Sequence, residues 1–120
     1  MKKGSEEMGT LRIAIATNGD RGLQDYVSPE FGHARTFTIV EVEDGKIKNI
    51  EVIDNPAKNL GHGRGPIVAK SLGDKGVSMV ISGEIGPGAS VILDQLGIRR
   101  LIVKPGRKVE DVLREENLIT

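Results

Sequence analysis

The sequence predicts an α/β domain built on a mixed five-stranded sheet, with its elements in the order βββαβαβα. Three features predict it. Residues 11–17 (LRIAIAT) are a nearly continuous apolar run, as expected of a strand buried on both faces. Asp44-Gly45 sits between two runs rich in Ile, Val and Thr and is a strong signal for a two-residue hairpin turn. Beyond residue 65, helical periodicity alternates with short apolar runs, the arrangement in which right-handed crossovers join parallel strands.

Taken in order, residues 1–9 carry Lys2, Lys3, Glu6 and Glu7 without periodicity and read as a flexible N-terminal arm. Residues 10–120 have the size of one ordinary domain. The first strand closes at Asn18-Gly19-Asp20, and an irregular stretch follows to residue 34. Residues 35–43 (RTFTIVEVE) and 46–54 (KIKNIEVID) then pair antiparallel. Lys46, Lys48, Glu51 and Asp54 mark the second as an edge strand guarded against further pairing. Phe31 and Phe37 are expected to be buried in an otherwise aliphatic core. Pro66 suits the first turn of a helix whose inner face is Val68, Ala69 and Leu72 and whose stop is Gly76. Residues 77–81 (VSMVI) read as a buried strand. Gly86-Pro87-Gly88 opens a second helix with Ala89, Ile92, Leu93 and Leu96 on its inner face and Gly97 as its stop. Residues 98–103 form the last strand, and a short helix with Val109, Val112 and Leu113 inward follows Pro105-Gly106.

In this order the first, third, fourth and fifth strands point the same way, so residues 18–34, 55–65, 82–88 and 104–108 gather at one edge. Open α/β sheets bind ligands outside the carboxyl ends of their strands, which makes this edge the expected site. Both histidines of the chain fall on it. Ser28-Pro29-Glu30-Phe31-Gly32-His33-Ala34 has a turn-forming Pro and an aromatic anchor beside His33, a loop able to hold an imidazole for a metal or an anion. Gly61-His62-Gly63-Arg64-Gly65-Pro66 puts an imidazole and a guanidinium just before a helix N-terminus, whose free N–H groups attract anions. In Ser82-Gly83-Glu84-Ile85-Gly86-Pro87-Gly88 the glycines permit close approach, Ile85 is expected to line a pocket, and Glu84 either ligates a metal or faces solvent.

Composition narrows the function. Seventeen Lys plus Arg balance seventeen Asp plus Glu, and one Tyr and two Phe are the only aromatics, which leaves neither a basic footprint nor a stacking platform for nucleic acid. The absence of cysteine excludes disulfides, Cys-ligated zinc, a thiolate nucleophile and a Cys-held iron–sulfur cluster. Apolar runs of about five residues fall far short of the roughly 18 a membrane span needs, and the expected location is cytoplasmic. Two-metal nuclease chemistry needs clustered carboxylates, yet residues 11–17 carry none and Asp20 lies past their end.

The segments SPEFGHARTF (28–37), GHGRG (61–65), GVSMVISGEIGPGA (76–89) and LGI (96–98), in this order and spacing, resemble the dinitrogenase iron–molybdenum cofactor biosynthesis family over roughly residues 11–115. The resemblance implies a ribonuclease H-like three-layer fold with sheet order 3-2-1-4-5. It implies a non-enzymatic domain that binds an iron–molybdenum or related iron–sulfur-type cofactor and passes it between donor and acceptor proteins of cofactor assembly. Carried onto this chain, it points to His33 and His62 as metal ligands, with Phe31, Gly32, Gly63, Arg64, Gly83, Ile85 and Gly86 around the bound group. Arg64, Lys104 and the helix N-termini would screen its negative charge. Two other readings of the same edge are a binding module for a small anion, phosphate or carboxylate, and a hydrolase with a divalent metal at His33, His62 and Glu84.

Overall fold

The computed structural model describes residues 9–120, so the arm expected over residues 1–9 lies, Gly9 apart, outside the described residues. Five strands, β1 (Thr10–Thr17), β2 (Thr36–Glu43), β3 (Lys46–Asp54), β4 (Met79–Ser82) and β5 (Arg99–Ile102), form one sheet in the order β3-β2-β1-β4-β5. The helices are α1 (Arg64–Asp74), α2 (Pro87–Gln95) and α3 (Val109–Glu115). β1 pairs antiparallel with β2 and parallel with β4, β2 pairs antiparallel with β3, and β4 pairs parallel with β5. The mixed sheet and its order agree with the sequence reading, and β3 is an edge strand as its charges indicate.

The apolar run of β1 is central because it has two faces to bury. Ile13 and Ile15 join Val40, Ile81 and the inner side of α3 on one face. Ala14 and Ala16 join Phe37, Ile39 and the inner sides of α1 and α2 on the other. The alternation along one strand therefore divides the core into two layers. Phe31 and Phe37 are both buried and meet edge to face, ring centroids 5.4 Å apart at 70°. Asp44 and Gly45 turn the β2–β3 hairpin with φ of 54° and 81°, two consecutive left-handed residues of the kind that match the twist of the flanking strands. A bulge at Glu41/Val42 shifts the register of that hairpin.

The strands at the parallel end are shorter than the apolar runs suggest, β4 starting two residues later and β5 covering only four residues. Leu96 corrects the reading of the second helix. It is 48% exposed, because α2 ends at Gln95 and Leu96 is its C-cap, lying over Gly73 of α1 instead of facing the sheet. The stretch after β1 contains a single 3-10 turn, Gly22–Gln24, that no periodicity announces. Its anchor is buried Asp25, which accepts the N–H groups of Arg21 (3.1 Å) and Tyr26 (2.8 Å). At the end of β1 the buried hydroxyls of Thr17, Thr36 and Thr38 satisfy one another, 2.7 and 3.1 Å from Thr17. Among the described residues no helix is long and apolar enough to cross a membrane.

Phe37→Ala should lower the unfolding free energy by about 3–5 kcal/mol, since it removes a fully buried ring and its edge-to-face contact with Phe31. Urea unfolding followed by circular dichroism measures this, and a loss below about 1 kcal/mol would contradict the central role given to that ring.

Candidate functional site

β1, β3, β4 and β5 run in one direction, so their carboxyl ends share an edge of the sheet. The chain leaving β1 turns back across this edge, with Ser28 N–H donating to the Ala16 carbonyl at 2.8 Å. It then pairs with the segment after β4. Gly83 N–H donates to Ser28 O (3.0 Å), Glu84 N–H to Pro29 O (2.7 Å) and Phe31 N–H to Glu84 O (2.9 Å). A Cβ at position 83 would stand 2.4 Å from the Pro29 carbonyl oxygen, so this pairing requires glycine there.

The paired loops bring Gly32 against α1, where a Cβ on Gly32 would meet the Gly65 nitrogen at 3.2 Å. Gly65 in turn lies against Ala89, and Gly88 against Pro66, so the first turns of α1 and α2 touch through small residues. Neither helix has a side-chain cap; their N-caps are Gly63 and Gly86. Two positive helix ends thus meet at a hollow of about 370 Å³ lined on its other side by Glu30, Phe31, His33 and Glu84. A second hollow of about 400 Å³ adjoins it, and His33 and Arg64 belong to both.

The model of the family described as dinitrogenase iron–molybdenum cofactor matches residues 10–116. The chain belongs to that family. An uncharacterized protein of Methanocaldococcus jannaschii is 41% identical over 88 residues, 73% of this chain and 70% of that one. Among solved structures, the apo form of the orange protein from Desulfovibrio gigas superposes with a TM-score of 0.78 at 31% identity, over 88% of this chain and 85% of that one. A Thermotoga protein solved by NMR gives 0.72 at 31% identity, over 90% and 88%.

Against this family fold, Phe31, Gly32, His33, Gly63, Arg64 and Gly86 line the first hollow, with His33 exposed. His62 is exposed beside Gly63 but lines neither hollow. Gly83 is buried against Pro29, and Ile85 packs on the α1/α2 side of the core, so neither forms the wall expected of it. Lys104 follows β5 and lines neither hollow. Arg64 turns back on its own loop, Nε donating to the Leu60 carbonyl (2.6 Å) and Nη2 to the Lys58 carbonyl (3.1 Å). Glu84 does reach the first hollow, beside Glu30, with which it forms an isolated parallel bridge. The set His33, His62 and Glu84 does not assemble: among the described residues no three His, Asp or Glu side chains come together as a metal site.

Asn55 carries no motif in the sequence beyond the turn signal of Asn-Pro-Ala. It is buried and joins the two histidine-bearing loops, Nδ2 donating to Gly32 O (3.0 Å) and Ala34 O (2.8 Å) while Oδ1 accepts from Ala57 N–H (2.7 Å). Asp54 accepts from Lys58 at 2.8 Å, which holds its carboxyl below the usual carboxylate range, helped by the charges of Lys58 and Arg35.

Gly83→Ala should cost about 1–3 kcal/mol by forcing the two paired loops apart, and amide hydrogen exchange of Phe31 should accelerate with it. Gly61→Ala, where an added Cβ meets nothing within 4 Å, is the matched control and should leave both unchanged.

Proposed function

We propose that this protein carries a preassembled metal–sulfur cluster of the iron–molybdenum cofactor class, bound transiently in the first hollow and passed between the donor and acceptor proteins of cofactor assembly. The observation that carries the reading is the meeting of two uncapped helix N-termini beside His33, in a chain of this family. A cluster of this class is anionic, and helix ends stabilise negative charge without a side-chain cation. A neutral imidazole is a suitable ligand for an exposed metal of such a cluster. With no cysteine, the chain offers no thiolate on which to build a cluster, and the role that fits is holding a finished one. At the two helix ends Gly63 and Gly86 line the hollow, and a Cβ on either would meet nothing within 4 Å, so a bulky group can approach the backbone there, while the exposure of His33 leaves the ligand open to exchange.

Anaerobic titration of the full chain with isolated iron–molybdenum cofactor, read by absorbance and by metal analysis after gel filtration, tests this. The wild type should retain the cluster. His33→Ala combined with His62→Ala should weaken retention at least about tenfold, while the thermal midpoint barely moves, because exposed loop substitutions cost within about 0.5 kcal/mol. Of the two single variants, His33→Ala should account for most of the loss. No retention by the wild type would sink the carrier reading. Undiminished retention by the double variant would remove imidazole as a ligand and leave the helix ends alone, which favours the small-anion reading.

A further inference from the structure

The second hollow has a charge character unlike the first. Its cationic side chains are Arg35, Lys58 and Arg64, with His33 between the two hollows, and its one carboxylate is Asp54. In the first hollow, Glu30 and Glu84 stand together on the wall facing the helix ends. On a chain of zero net charge, this local excess of cations reflects where the loops fold, since Arg35 precedes β2, Asp54 ends β3, and Lys58 and Arg64 lie in or just beyond the loop that follows.

We propose that this second hollow is a binding site for a small polyvalent oxyanion bearing carboxylate or phosphate groups, distinct from the cluster site and adjoining it across His33 and Arg64. The hollow is preformed. Asn55 uses both ends of its buried amide on backbone groups beneath the hollow, and Arg64 holds the 58–60 backbone by two donated bonds. Asn55 N–H donating to the Arg35 carbonyl at 3.1 Å keeps the stem of Arg35 beside the end of β3. A ligand therefore finds the loop backbone that carries its cations already held, and its ordering cost falls on the exposed side chains of Arg35 and Lys58. Arg35 has a planar fork matched to two oxygens of one carboxylate or phosphate, and among the described residues it donates no side-chain hydrogen bond and belongs to no ion pair. Lys58 is a point charge engaged by Asp54 at 2.8 Å, an exposed pair that an anion of higher charge displaces at small cost. Asp54 thereby acts as the competitor that an entering oxyanion replaces. The volume of about 400 Å³ suits a small multiply charged acid.

The test uses the full chain and two metal-free probes, inorganic phosphate and citrate, followed by amide chemical shifts and by calorimetry. Saturable shifts should centre on Ala34, Arg35, Asn55 and Lys58. Arg35→Gln combined with Lys58→Gln should weaken binding at least about tenfold, and Asp54→Asn should tighten it severalfold. Lys70→Gln with Lys75→Gln, which removes as much charge from the far end of α1, should leave the affinity unchanged. Tighter citrate binding assigns the site to the carboxylate class and tighter phosphate binding to the phosphoryl class; both support it. Equal weakening by the Lys70/Lys75 pair would show general charge attraction, and the absence of saturable shifts below about 10 mM would show no site; either overturns the proposal. Because neither probe contains metal, the outcome is independent of whether the first hollow carries a cluster.

Discussion

The backbone of Gly83 passes so close to Pro29 that no side chain fits between them, and three hydrogen bonds between residues 28–31 and 83–84 follow from that approach. Beyond the end of β4 these bonds give it a new parallel partner, residues 28–31 in place of β1, and so tie the loop bearing His33 to the sheet through its backbone. Phe31 is carried into the core by the same pairing and packs on Phe37 of β2. From there, Gly32 reaches the first turn of α1, and α1 reaches α2 through Gly65 and Ala89. A chain of close backbone approaches, each permitted by a missing or minimal side chain, thus leads from the sheet to the floor of the hollow.

This construction explains how a chain without net charge forms a site with strong local fields. The uncapped ends of α1 and α2 are fixed dipoles that cost no reorganisation when a ligand arrives. Of the charged side chains around them, Glu30 and Glu84 line the first hollow, and Arg35 and Lys58 line the second together with Asp54. Arg64 stands at the boundary, and its bonds to the carbonyls of residues 58 and 60 make it a brace for the loop as well as a source of charge. Exposed pairs such as Asp54 with Lys58 contribute little to stability, so their placement constrains ligands more than the fold.

Much of this molecule is dictated by residues near one another in sequence. The apolar run of 11–17 determines a central strand because only a position covered on both faces satisfies it. Asp44-Gly45 determines the hairpin because both residues tolerate positive φ, and the spacing of Val68, Ala69 and Leu72 determines the buried face of α1 because a helix repeats every 3.6 residues. The shared edge follows from strand direction, which the element order already implies, and so both histidine loops were legible as neighbours. What the tertiary structure decided is which groups on those loops point into a cavity. Gly83 reads as a glycine open to close approach, but only the fold lays Pro29, far away in sequence, against it; Ile85 sinks onto the core while Glu84 beside it reaches the hollow; Arg64 turns two of its donors onto its own loop; and Asn55 with Arg35, Asp54 and Lys58 becomes a polar floor and rim without any motif to mark it. The physical reason is that secondary structure answers to local periodicity, whereas the direction of a loop side chain answers to packing and hydrogen-bond partners supplied by segments that only the fold brings together.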